Sequence, residues 1–130
     1  MRICSTVLAC VLLLAASPGR AEDAAVPDIA YFDLKPSLVT NLNGGPRYIR
    51  CEVQLMVTDP DRLPEVELHA AALRNEMLLL LAEQDGSKLT TLAGKENLRL
   101  KVRDAFRKVL KNKIGVELVR DVFFTSYYVE

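Results

Sequence analysis

"VRDVFFTSYYVE" (residues 119–130) closes the sequence, and its aromatic and β-branched residues run up to the penultimate position. Such residues suit a half-buried pleated surface and are poor material for a frayed polar tail. They predict a final strand over Val116–Glu130, with a slip of period near Val122–Phe123–Phe124 that reads as a bulge. Two helical patterns stand immediately before it, so no neighbour in sequence can pair with it through a tight hairpin. The segment must return to a strand from earlier in the chain, and its large side chains then belong to the core.

The clearest strand pattern is "RYIRCEVQLMVTD" (47–59), where the alternation is strictest. Ile49, Cys51, Val53, Leu55 and Val57 share one face, and Arg50, Glu52, Gln54, Met56 and Thr58 the other. One side is therefore buried and the other is wet or met by a partner. Upstream, "IAYFDLKPSLVTNL" puts Ala30, Phe32, Leu34, Leu38 and Leu42 on one side, with Lys35 and Ser37 opposite. Pro36 lacks an amide donor, which predicts a sheet edge or a break at that point. "NGGP" (43–46) between these runs is a turn, since Asn and Gly accept positive φ at little cost. It is not a phosphate cradle, because no Lys-Ser/Thr pair or helix start follows.

After residue 58 the period changes. Val66, Ala70, Leu73, Met77 and Leu80 form a helical stripe, with Asp59 or Asp61 as cap and Pro64 early in the helix. The apolar run "MLLLLA" (77–82) predicts a deeply buried C-terminal end, and "DGSK" (85–88) ends the helix. A second helix starts near Thr91. Leu92, Leu98, Val102, Ala105 or Phe106, and Val109 form its buried stripe, and Gly115 ends it. The order β-β-α-α-β predicts a small single α+β domain, two helices packed on a mainly antiparallel sheet.

The domain is assigned to residues 29–130, after a linker at 22–28. Residues 1–21 carry Arg2, an apolar run from Ile3 to Ala16 and "SPGRA", the order of a signal peptide cut after Ala21. The apolar run is about 14 residues, short of the roughly 20 a spanning helix needs, so cleavage is preferred over a short membrane anchor. The unbroken apolar stretch Val11–Ala16 follows Cys10, whereas lipidation needs it before, which argues against lipidation there. Removal of Cys4 and Cys10 leaves Cys51 alone, a small buried hydrophobe that has no disulfide partner.

The net charge is zero overall, but it is unevenly placed. Within residues 91–113, eight basic side chains face only Glu96 and Asp104, and the remainder of the exported chain is acidic. The exposed part of that helix, with Lys101, Arg103, Arg107, Lys108 and Lys111, is either an ordinary solvated face or a docking surface for an acidic protein or anionic lipid. Sparse aromatics and the expected export argue against nucleic acid. His69 sits on the first helix with no nominated nucleophile or carboxylate, and the acids of "DPDRLPEVE" (59–67) lack the calcium-loop pattern. No H-E-x-x-H, G-x-S-x-G or paired C-x-x-C occurs, so no catalytic, cofactor or metal residue is assigned and an enzyme is not expected.

Several blocks in order, "YFDLKPSLVTNLNGGPRYIRCEVQLMV", "RNEMLLLLAEQ", "LTTLAGKENLRLKVRDAFRKVL" and "VRDVFFTSYYVE", resemble the periplasmic domain of the flagellar basal-body-associated FliL family. The most specific pieces are Asn41–Leu42, Arg47–Tyr48, Gly94 and Lys95 with Leu98 in "GKENLR", and Phe123–Phe124 in the closing segment. The resemblance implies a stomatin-like fold, ring-forming homo-oligomers around the stator units of the flagellar motor, and a non-enzymatic role in swimming and swarming without a cofactor. It implies residence on the periplasmic side of the bacterial inner membrane. Family members carry a full membrane helix and a linker; the short leader here instead implies a released domain, or a FliL-like scaffold serving another cell-envelope complex.

Overall fold

The structure is a computed structural model that describes residues 28–130, so the leader and most of the linker lie outside the described residues. Strand β1 (Ala30–Asn41) and strand β2 (Tyr48–Val57) form an antiparallel pair. Helices α1 (Leu63–Leu68), α2 (Ala70–Ala82), α3 (Gly86–Leu89) and α4 (Leu92–Ile114) follow, and strand β3 (Val119–Val129) completes the chain. β3 pairs antiparallel with β2, giving a three-stranded sheet in the order β1-β2-β3. The closing segment thus returns to the 47–59 strand, and the α+β order read from the sequence is the one observed.

β2 is central because its whole apolar face is needed inside. Ile49, Cys51, Val53, Leu55 and Val57 are buried, as the alternation requires. Burial pushes the Cys51 thiol up to about 12, with Glu52 adding a smaller electrostatic push. α2 lies over the β1 side of the sheet and α4 over the β3 side, and together they enclose Phe106, Leu73, Met77, Leu98 and Leu110 against the strands. Gly44 and Gly45 take positive φ (76° and 62°) in the β1–β2 turn, as "NGGP" predicts.

Pro36 does mark an edge strand and a break. Leu34 pairs with Val53 and Leu38 with Cys51, so β1 holds two more residues than β2 across this interval and still returns both leucines to the core. The irregularities in β3 flank the expected position. Residues 122–124 pair continuously, and the register shifts fall at Arg120 and Thr125. Each shift restores the inward face, so Val119, Val122 and Phe124 all stand opposite inward residues of β2. β3 also starts at Val119, because Val116 is exposed beyond the end of α4.

The helices differ in detail from the periodicity. The first is interrupted at His69, whose N–H is shared between the carbonyls of Glu65 and Val66, and α2 begins after it. Its stripe then follows an i, i+4 row through Leu73, Met77 and Leu81, with Leu80 only half-buried. The end of α2 is not buried all round: Leu79 is 56% exposed and Leu78 36%. A helix resting on one sheet and one neighbouring helix has solvent on its far side, and "MLLLLA" has more leucines than that contact can cover. Leu92 is likewise exposed (85%), because Thr91 caps α4 at that turn and the inward row begins at Leu98. Leu110 ends that row, with Val109 half-buried beside it.

Asp59 caps a short 3₁₀ turn (Pro60–Arg62) ahead of α1, accepting from the Asp61 N–H at 3.1 Å. "DGSK" does end α2, but it also starts α3, where Asp85 accepts from the Ser87 N–H at 3.0 Å.

The raised Cys51 pKa has a measurable consequence. The folded state keeps its proton where the unfolded thiol has lost it, so folded protein binds more protons and stability falls as pH rises from about 9 to about 12. We expect a slope of at most about 1.4 kcal/mol per pH unit from this residue, read by urea melts. The Cys51→Ala variant should show a shallower alkaline decline from a lower starting stability. An identical decline in both proteins would refute the assignment.

Candidate partner interface

The family-like residues gather at two joints of the fold. At the first, the N–H groups of Arg47 and Tyr48 donate to the Glu130 carbonyl (2.6 and 2.8 Å), and the Glu130 N–H donates to the Tyr48 carbonyl (3.0 Å). Leu42 is buried, and its N–H donates to the Arg47 carbonyl at 2.9 Å; Asn41 pairs with Tyr48 on the exposed side. The Tyr48 and Tyr128 hydroxyls donate to the Glu130 carboxylate (2.7 and 3.1 Å), which holds both phenols above their usual range. The β1–β2 turn is thereby bound to the last residues of β3.

The second joint connects α3, α4 and β3. The Thr91 hydroxyl accepts from the Gly94 N–H at 3.0 Å and donates to the Lys88 carbonyl at 2.9 Å. A Cβ on Gly94 would lie 1.8 Å from that carbonyl oxygen, so the joint closes only over a glycine. Leu98 is buried one turn later. The Lys95 ammonium stands 4.9 Å from the centre of the Tyr127 ring, and the Tyr127 hydroxyl donates to the Leu89 carbonyl at 2.7 Å. Phe124 packs on the Tyr127 ring with centroids 5.2 Å apart, whereas Phe123 points to the open side of the sheet. These residues hold elements together.

The basic face of α4 is not one surface. Arg107 is turned inward along the sheet edge, donating to the carbonyls of Val119 (2.7 Å) and Arg120 (2.6 Å). Arg99, outside the expected set, does the same at Val122 (3.1 Å) and also binds Glu96 and Asp121, which raise its pKa. Arg103 contacts Asp104 at 3.1 Å, Lys101 reaches Gln84 at 3.4 Å, and Lys111 lies 3.8 Å from Glu117. Lys108 has no carboxylate partner among the described residues. The exposed cations Lys101, Lys108 and Lys111 thus form the outward surface. Acidic side chains are exposed at Asp61, Glu67 and Glu83, and Glu83, just past the end of α2, borders one pocket with Lys101. The periodicity of α4 identified the basic residues, but the inward turn of Arg107 depends on where β3 comes to lie.

His69 is half-buried at the α1–α2 break. No cluster of three metal-ligating side chains occurs among the described residues, and no helix among them is long and apolar enough to cross a membrane. The features that stand out are surfaces and strand edges on a small α+β domain. The chain belongs to the family described as "Flagellar basal body-associated protein FliL", whose model matches residues 31–129. Membership assigns it a flagellar basal-body-associated role in motility, in a family of accessory proteins. A search of curated proteins finds no match.

Proposed function

We propose that this protein is a non-enzymatic, exported accessory of the flagellar motor that supports rotation through oligomeric contacts with the stator units. It acts on the periplasmic side of the inner membrane. The match to the FliL family over residues 31–129 carries this reading. Exposed charge supports it: cations at Lys101, Lys108 and Lys111 and acids at Asp61 and Glu67 give one subunit surface groups of both signs for contact with a neighbouring copy. Head-to-tail contact between copies builds a ring when the rotation closes.

The test is motility in viscous medium for strains carrying a deletion or the Lys101→Glu/Lys108→Glu/Lys111→Glu variant. These side chains are exposed, so the fold should survive their reversal. Deletion should slow swimming under load, and the charge-reversed protein should fail to restore it while remaining folded. Sedimentation of the normal protein should show assemblies that shrink as salt rises from about 0.05 to 0.5 M, because exposed charge pairs are screened. Unchanged speed under load in the deletion strain would sink the motor role and favour a scaffold duty on another envelope complex.

A further inference from the structure

β3 is an edge strand whose two halves are treated differently. Over its first part, Arg99 and Arg107 occupy the carbonyls of Val119, Arg120 and Val122. From Phe123 to Val129, no backbone group among the described residues pairs on the side away from β2. Beside the point where this cover ends is a notch of about 260 Å³, lined by Leu92, Lys95, Glu96, Arg99, Phe123 and Phe124. Phe124 stands opposite Val53 on the helix-covered face, and Phe123 opposite Gln54 on the open face. Side chains from both faces can border one notch only at the rim of the strand.

We propose that the edge of β3 from Phe123 to Val129 is a docking site for an extended, alternating apolar and acidic segment of a partner protein, which adds as a fourth strand. The backbone dictates the shape of the occupant, since a row of unpaired N–H and C=O groups is satisfied by another extended chain. The notch has room for a single large apolar side chain, and Leu92, 85% exposed, would be covered by it. Lys95 touches the Tyr127 ring but no carboxylate among the described residues, so it favours an acidic residue next in the incoming strand. The opposite edge is unsuited to the same use. Pro36 lacks a donor there, and the two-residue irregularity interrupts β1 in its middle. This site goes beyond the motor role and does not depend on it.

The test uses the full chain and a synthetic peptide of about eight residues alternating valine and glutamate, with a proline-interrupted version as control. Amide hydrogen exchange should slow at least about tenfold in Phe123–Val129, at the amides that β2 leaves free, with the alternating peptide only. Leu92→Asp and Lys95→Glu should each weaken binding at least about tenfold, and a valine–lysine peptide should regain affinity for Lys95→Glu. Equal binding of the proline control, protection elsewhere, or variants that bind normally would each overturn the proposal. Concentration-dependent protection of these amides without peptide would do so too, by assigning the edge to a second copy.

Discussion

Removing residues 121–130 should abolish the cooperative thermal transition altogether. The cut deletes all but the first two residues of β3 and, with them, the partners of β2 from Ile49 to Met56. Val122 is fully buried, and Phe124, Tyr127 and Val129 pack against the core from its rim. Each large side chain of this kind contributes up to about 1.5–3 kcal/mol when fully buried. Domain stability amounts to only about 5–15 kcal/mol, so losing this group together with one side of the sheet exceeds what the remainder can supply. The truncation also leaves Arg99 without Asp121 and Val122, and Arg47 and Tyr48 without the Glu130 carbonyl. The measurement is calorimetry with far-ultraviolet circular dichroism. A sharp transition in the truncated chain would refute this account of the fold.

Gly94→Ala should destabilise the protein by about 2–3 kcal/mol, although alanine is the better helix former by about 1 kcal/mol. Gly94 lies inside α4, and its need is for space: the added methyl would sit 1.8 Å from the Lys88 carbonyl oxygen. That oxygen is backbone and already accepts from the Thr91 hydroxyl, so relief requires α3 to move away from α4. Leu89, buried at the end of α3, moves with it, and its carbonyl holds the Tyr127 hydroxyl. The midpoint of thermal unfolding should fall by roughly 8–20 °C for a domain of this size. Asn97→Ala, on the exposed side of the same helix, should change it by no more than a few degrees. A Gly94→Ala protein as stable as the parent would remove the close α3–α4 approach from the explanation.

Much of this was legible in the residues because it depends on local period. The inward face of β2, the edge character of β1 at Pro36, the Thr91 start and Gly115 end of α4, and the buried Cys51 all follow from alternation, capping and backbone chemistry within a few positions. Two helices before a sticky last segment also required β3 to return to an earlier strand. Periodicity did less well at the margins of the helices. Leu79 and Leu92 look like core residues by composition, yet whether an apolar side chain is covered depends on how much neighbouring surface the fold supplies. The candidate interface was legible only as a list of cations.

Sequence alone thus determined the element types, their order and the inward set of each strand, since these are written in spacings shorter than one element. Tertiary structure alone decided that β3 lies beside β2 with α4 along its rim, which commits Arg99 and Arg107 to the fold and leaves Lys101, Lys108 and Lys111 outward. It likewise placed Gly94 under a carbonyl and brought Phe123, Phe124 and Leu92 to one notch. Such contacts join groups whose distance apart is set by long-range packing, and no local pattern encodes them.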